Sequence, residues 1–147
     1  MEKIKMPLAT YVLYHSDYSN GEKAFDMIYQ LLCRDIDRPL TDGIDIPVYL
    51  RTGKDGCDIL PIKFDESERT AIIILIDEQM FCSNEWRKYI DDVAEHTSDN
   101  VKIYGIGLYQ YAFEISTKTE KIQAIKLENY CFEDNWKLIQ TRLLESL

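Results

Sequence analysis

Apolar residues along this chain alternate between short β-type runs and longer stripes at helical spacing. Residues 9–15, Ala9-Thr10-Tyr11-Val12-Leu13-Tyr14-His15, are β-branched and aromatic and stop at Ser16-Asp17, which predicts a buried strand. Ser19 and Glu22 then have the spacing of a capping box. Ala24, Phe25, Ile28, Leu31 and Leu32 follow at the repeat of a helix lying on a sheet, with its end near Arg34. After the turn-rich residues 35–45, Ile46-Pro47-Val48-Tyr49-Leu50 predicts a second short strand. Pro47 has no N–H to give a ladder and argues for an edge position.

Residues 51–69 show no periodicity and predict a loop with one helical turn near Asp65 to Glu68. The strongest pattern comes next. Thr70-Ala71-Ile72-Ile73-Ile74-Leu75-Ile76-Asp77 is apolar without alternation, the mark of a strand covered on both faces. A helix follows that Ser83 or Asn84 would cap, with Glu85 in its first turn and Trp86, Tyr89, Ile90, Val93 and Ala94 facing inward. Residues 101–108 predict a fourth strand containing Gly105 and Gly107, a sign of close approach by another backbone or a ligand. Residues 109–121 carry no clear pattern beyond one short helix. Residues 122–127 predict a fifth strand. A last helix starts about Phe132, with Trp136, Ile139, Leu143 and Leu147 on one side.

This alternation predicts an α/β domain over residues 1–147: a flavodoxin-like, doubly wound sheet of about five parallel strands in the order 2-1-3-4-5, with helices on both faces. Ligands of such sheets sit beyond the carboxyl ends of the strands, where strands 1 and 3 part. Those ends are His15-Ser16-Asp17, Arg51-Thr52-Gly53, Asp77-Glu78 and Leu108-Tyr109. Function is expected there.

Composition narrows the classes. The 147 residues carry 17 Lys and Arg against 26 Asp and Glu, a net charge of −9 that argues against a nucleic-acid partner. With 46% hydrophobic and 29% charged residues the chain is globular rather than disordered. No apolar run is long enough to span a membrane, and Met1-Glu2-Lys3-Ile4-Lys5 lacks the apolar run of a secretion signal. A soluble, cytoplasmic protein is expected. The apolar last helix, running to Leu147, also suits one domain of a longer protein. Cys33, Cys57, Cys82 and Cys131 are widely spaced and His15 and His96 offer no ligand-spaced partner, so no metal and four separate thiols are expected. Ten tyrosines supply flat surfaces with polar tips, suited to ligand pockets and contact surfaces.

The chemistry-bearing motifs are sparse. Neither a G-x-x-x-x-G-K-[ST] loop nor a G-x-G-x-x-G turn follows the first strand, which removes the main support for P-loop and dinucleotide Rossmann readings. Gly53-Lys54-Asp55-Gly56 is a weak phosphate-loop candidate. A response-regulator receiver would place its phosphorylated aspartate where Asp77 stands and its lysine near Lys126. It would also need an acidic pair at the end of strand 1, and only Asp17 is there.

The chain resembles a TIR (Toll/interleukin-1 receptor) domain of bacterial type. The resemblance is carried by Tyr11-Val12-Leu13-Tyr14-His15-Ser16-Asp17 leading into a helix, by the long loop from Arg51 at the place of the BB loop, and by Cys82-Ser83-Asn84-Glu85-Trp86 after the apolar third strand. It implies either hydrolysis or cyclisation of NAD, taken as substrate with no further cofactor, or self-association with other TIR domains as a signalling module. Cleavage of the nicotinamide–ribose bond wants a carboxylate near the ribose to steady an oxocarbenium-like transition state. Enzymatic relatives carry that glutamate four residues after the tryptophan, and here position 90 is Ile90.

Glu85 and Asp91 are the nearest acids and the candidate catalytic residues. Glu85 also suits a helix-dipole role and Asp91 a solvated face. Candidate nucleotide contacts are Ser16 and Asp17 for ribose or phosphate, Arg51 for pyrophosphate, Asp77 at the strand end, and Trp86 for stacking. Each has a structural alternative: a turn cap, a surface ion pair, a strand-closing acid, a core ring.

Overall fold

The uninterrupted apolar run becomes the middle of a sheet. In the computed structural model, which describes residues 6–32, 48–53 and 59–146, the chain forms β1 (Met6–His15), α1 (Gly21–Leu32), β2 (Val48–Gly53), β3 (Ser67–Ile76), α2 (Glu78–Phe81), α3 (Asn84–Ala94), β4 (Val101–Gly107), β5 (Ile122–Ile125) and α4 (Trp136–Ser146). Single 3-10 turns lie at Phe64–Glu66, Ala112–Glu114, Thr119–Lys121 and Glu133–Asn135. All strands are parallel, in the order β2-β1-β3-β4-β5. This is the expected doubly wound order, and it leaves β2 at an edge.

The two-residue period of the strands sorts their side chains onto two faces. Tyr11 and Leu13 of β1 with Ile72, Ile74 and Ile76 of β3 pack under Met80 of α2 and Trp86, Ile90, Val93 and Ala94 of α3. Val12, Ile73, Leu75, Tyr104 and Ile106 face the other way, against Ala24, Ile28 and Leu32 of α1 and Ile139 and Leu143 of α4. Helices therefore cover both faces, which is why β3 shows no alternation.

Several boundaries differ from the expected ones. β2 runs on through Arg51, Thr52 and Gly53, which pair with Leu13, Tyr14 and His15, so these residues close a strand rather than open a loop. β3 starts at Ser67 because Met6 and Leu8 pair with Ser67 and Arg69. α1 begins at Gly21, with the Ala24 N–H donating to Asn20 O, so Asn20 holds the cap position and Ser19 precedes it. Ser83 does cap α3, its hydroxyl accepting from Trp86 N. Gly107 makes room for the Phe113 ring and Gly105 for the Ile122 side chain, each 2.9 Å from where a Cβ would stand. Residues 33–47 and 54–58 lie outside the described residues, and with them Cys33, Arg34, Ile46, Pro47, Lys54, Asp55, Gly56 and Cys57. Leu147 is also outside. No helix among the described residues is long and apolar enough to cross a membrane.

Candidate functional site

At the carboxyl edge the chain leaves β1 in a tight turn. Tyr18 N donates to His15 O at 2.9 Å, Gly21 N to Tyr18 O at 3.1 Å, and Ser16 N crosses to Gly53 O at the end of β2 at 3.1 Å. Gly21 is required here, because a Cβ would stand 2.3 Å from the Tyr14 ring. Asp17 N donates to His15 Nδ1 at 3.0 Å. His15 itself is buried, 5% exposed, while Ser16 and Asp17 form an exposed rim.

The Gly53 carbonyl also accepts from the Trp86 indole N–H at 2.9 Å. This bond draws the first turn of α3 against the ends of β2 and β1, with the Trp86 ring 6.5 Å from that of His15. Trp86 has no exposed surface, so of its two readings the structure shows the core ring. Glu85, its neighbour, is exposed and accepts from Ser83 Oγ at 3.4 Å. Asp91 stands six residues on, about 9 Å along the helix and about 120° round it. Its carboxylate accepts a hydrogen bond from Ser116, a buried side chain of the segment after β4. The two candidate acids therefore do not converge. Ile90 is fully buried.

Arg51 faces the α3 side with Tyr11 and Leu13. Its Nε donates to Pro61 O at 3.1 Å, Nη1 to Leu50 O at 3.1 Å, and the guanidinium lies 5.0 Å from the Tyr11 ring centre. Tyr89 OH donates to Leu60 O at 2.8 Å, and Tyr11 OH accepts from Lys63 N at 3.4 Å. Arg51, Tyr11 and Tyr89 thus strap residues 60–63 onto the sheet edge. Burial pushes the Tyr89 phenol up to about 12 and raises that of Tyr11.

Asp77 lies where β1 and β3 part and is 7% exposed. Its Oδ1 accepts from Met80 N at 3.0 Å, so it caps α2, a helix absent from the sequence reading. Burial raises its pKa above the ordinary carboxylate value, and the N–H groups of Met80 and Gln79 and the charge of His15 offset this only in part. Tyr18 stands within the field of Asp77. Burial, and then the negative fields of Asp77, Cys131 and Glu133, take its phenol up to about 12.

Sequence reasoning passed over Tyr18 and gave His15 a strand-ending role. The available signal was position: both adjoin the turn after strand 1, at the predicted fork. Around the fork stand the buried Asp77 and His15 and the half-buried Tyr18, His15 with its ring toward Trp86 and Tyr18 packed on the face of α1 and α4, with Ser16 and Asp17 exposed beside them. Arg51 is turned to Pro61 and Asp91 to Ser116, away from them. No family model, no curated protein and no solved structure matches this chain.

Proposed function

We propose that this is a TIR-like domain of bacterial immune signalling that holds NAD or a related nucleotide at its carboxyl edge and cleaves the nicotinamide–ribose bond. The observation carrying this reading is the Trp86–Gly53 bond, which ties the turn bearing the exposed Glu85 to the strand ends. Nicotinamide departs with the electron pair of the C–N bond, leaving positive charge on the ribose ring. Glu85 is the acid able to steady that charge. Water then attacks the anomeric carbon and gives up its proton, yielding ADP-ribose, or a ring nitrogen of the adenine attacks and closes a cyclic product. Ser16 and Asp17 line the rim.

The test is NAD consumption at high protein concentration with a crowding agent, followed by chromatography. Turnover should fall by roughly a hundredfold or more in Glu85→Gln, the scale for losing an electrostatic stabiliser, while Asp91→Ala should act only through stability. A second reading, a non-catalytic module that associates with itself or other TIR domains, is favoured by the buried Ile90 at the place of the usual glutamate. Intact NAD over an assembled wild-type protein would decide for that module.

A further inference from the structure

We propose that the row of rings formed by Phe81, Tyr109 and Tyr111 at the carboxyl ends of β3 and β4 is a docking surface for an arginine-bearing segment of a protein partner. This goes beyond the nucleotide reading above and does not rest on it. The rings come from two places in the sequence, Phe81 from the end of α2 and Tyr109 and Tyr111 from the segment after β4. Phe81 and Tyr109 stand 5.3 Å apart centre to centre, tilted by 52°, and Tyr109 and Tyr111 stand 5.6 Å apart, edge to face. Phe81 and Tyr109 are half-buried against the core, while Tyr111 at the outer end is 49% exposed.

The row is braced before any partner arrives. Leu108 N extends the strand pairing to Ile76 O at 2.9 Å, and Ala112 N and Glu114 N close turns on the carbonyl oxygens of Tyr109 and Tyr111, each at 3.0 Å. Arg87 of α3 fastens the far side, its Nε donating to Ile115 O and its Nη2 to Glu114 O, both at 3.2 Å. Little freedom is left to lose on binding, which favours a contact surface over a loop that must first be ordered.

Arg87 also shows what these rings accept. Its guanidinium lies 4.9 Å from the Phe81 ring centre, a cation over an aromatic face. Tyr109 and Tyr111 offer the same kind of surface further out, and the charges beside them suit a cation. Glu78 and Glu114 are exposed on the adjoining turns. Burial raises the pKa of the Tyr109 phenol, and the fields of Glu78, Cys82 and Tyr111 raise it further, so the charge reaching that ring is negative. The net charge of the chain, −9, has the same sign. A planar guanidinium stacks on a ring as an ammonium cannot, which selects arginine over lysine. One exposed cation–ring contact gives about a two- to fivefold gain in affinity, too little to hold a free ion. The guanidinium must therefore arrive on a chain that brings further contacts, as in interfaces rich in tyrosine and arginine.

The experiment is calorimetric titration of hexa-arginine and of hexalysine, at physiological ionic strength, into wild type, Tyr111→Ala, Glu78→Gln and Tyr49→Ala. Tyr49 is the control, 41% exposed on β2 at an edge of the sheet away from β4. We expect Tyr111→Ala to weaken the arginine peptide by about three- to tenfold and the lysine peptide by less than about twofold. Glu78→Gln should weaken both by about twofold, and Tyr49→Ala neither. In wild type the ring-proton resonances of Tyr109 and Tyr111, and not those of Tyr49, should shift as hexa-arginine is added; this decides the matter if Tyr111→Ala proves unfolded. Unchanged arginine affinity in Tyr111→Ala, an equal loss of both peptides, or Tyr109 and Tyr111 resonances that stay in place overturns the proposal. So does self-association of wild type that Tyr111→Ala abolishes while no peptide binds, which would give the rings to a second copy of the chain.

Discussion

The two faces of the sheet use their polar side chains differently. On the α3 face these groups bind backbone: Trp86 to Gly53, Tyr89 to Leu60, Arg51 to Pro61, Arg87 to Ile115 and Glu114, with Asp91 tied to Ser116. The face covered by α1 and α4 is held largely by apolar contact, with Lys23–Glu133 and the long Arg142–Ala124 bond of 3.5 Å among its polar ties. Of the residues that the sequence nominates on α3, Trp86 and Asp91 are thus committed to the fold, while Glu85 is left exposed. A polar residue with chemistry to offer is recognised by what it leaves unused.

That contrast can be broken most forcefully at Ile90. Placing a glutamate there, Ile90→Glu, buries a carboxylate in the core that holds Trp86, Val93 and Ala94. It should cost several kcal/mol of the ~5–15 kcal/mol that hold a domain together, unfolding much of the protein rather than creating an enzyme. A urea transition read by circular dichroism checks this, and a stable Ile90→Glu variant would mean the α3 face is looser than described. Trp86→Ala should cost about 3–5 kcal/mol, as for other buried aromatic rings, and should loosen β2 through Gly53.

Tyr89→Phe removes one hydrogen bond and should cost about 1 kcal/mol at neutral pH. Its pH profile is the sharper measurement. The folded state holds the phenol proton to about 12 against an ordinary 10.0, so the associated stability is complete below 10.0 and is lost as pH rises through about 12. Tyr89→Phe should flatten that alkaline decline, and Tyr18→Phe should do so from the opposite face.

Asp77 shifts in the same direction, at the acid end of the range. Its folded pKa is raised, so its contribution is present below the ordinary carboxylate value and lost as pH climbs through the raised one. Asp77→Asn should therefore match or exceed wild-type stability at neutral pH and lose that advantage in acid, as thermal melts across the range would show. The smallest effect is expected from Lys23→Ala, under about 1 kcal/mol, because an exposed ion pair is weak and screened by salt.

The layout of the fold was legible because it depends on local pattern. Ile72 to Ile76 announce a doubly covered strand, and Ser83 announces a cap, without reference to anything distant in sequence. The site was less legible because its contacts are long-range. Nothing near Trp86 foretells a bond to Gly53, 33 residues away, and nothing near Asp91 foretells Ser116. The strand ends were misjudged for a related reason: Arg51 to Gly53 and Ser67 to Arg69 are polar by composition, and only pairing with β1 makes them strand. Gly105 and Gly107 pointed to a close approach, but only the fold shows Ile122 and Phe113 as what approach.

One further consequence follows from where the two tryptophans lie. Trp86 is buried on the α3 face and Trp136 is half-buried on the face of α1 and α4, so each side of the sheet carries its own fluorophore. Trp136→Phe leaves an emission signal reporting the strapped side, and Trp86→Phe leaves one reporting the side of α1 and α4. Coincident midpoints would mean the layers melt as one cooperative unit.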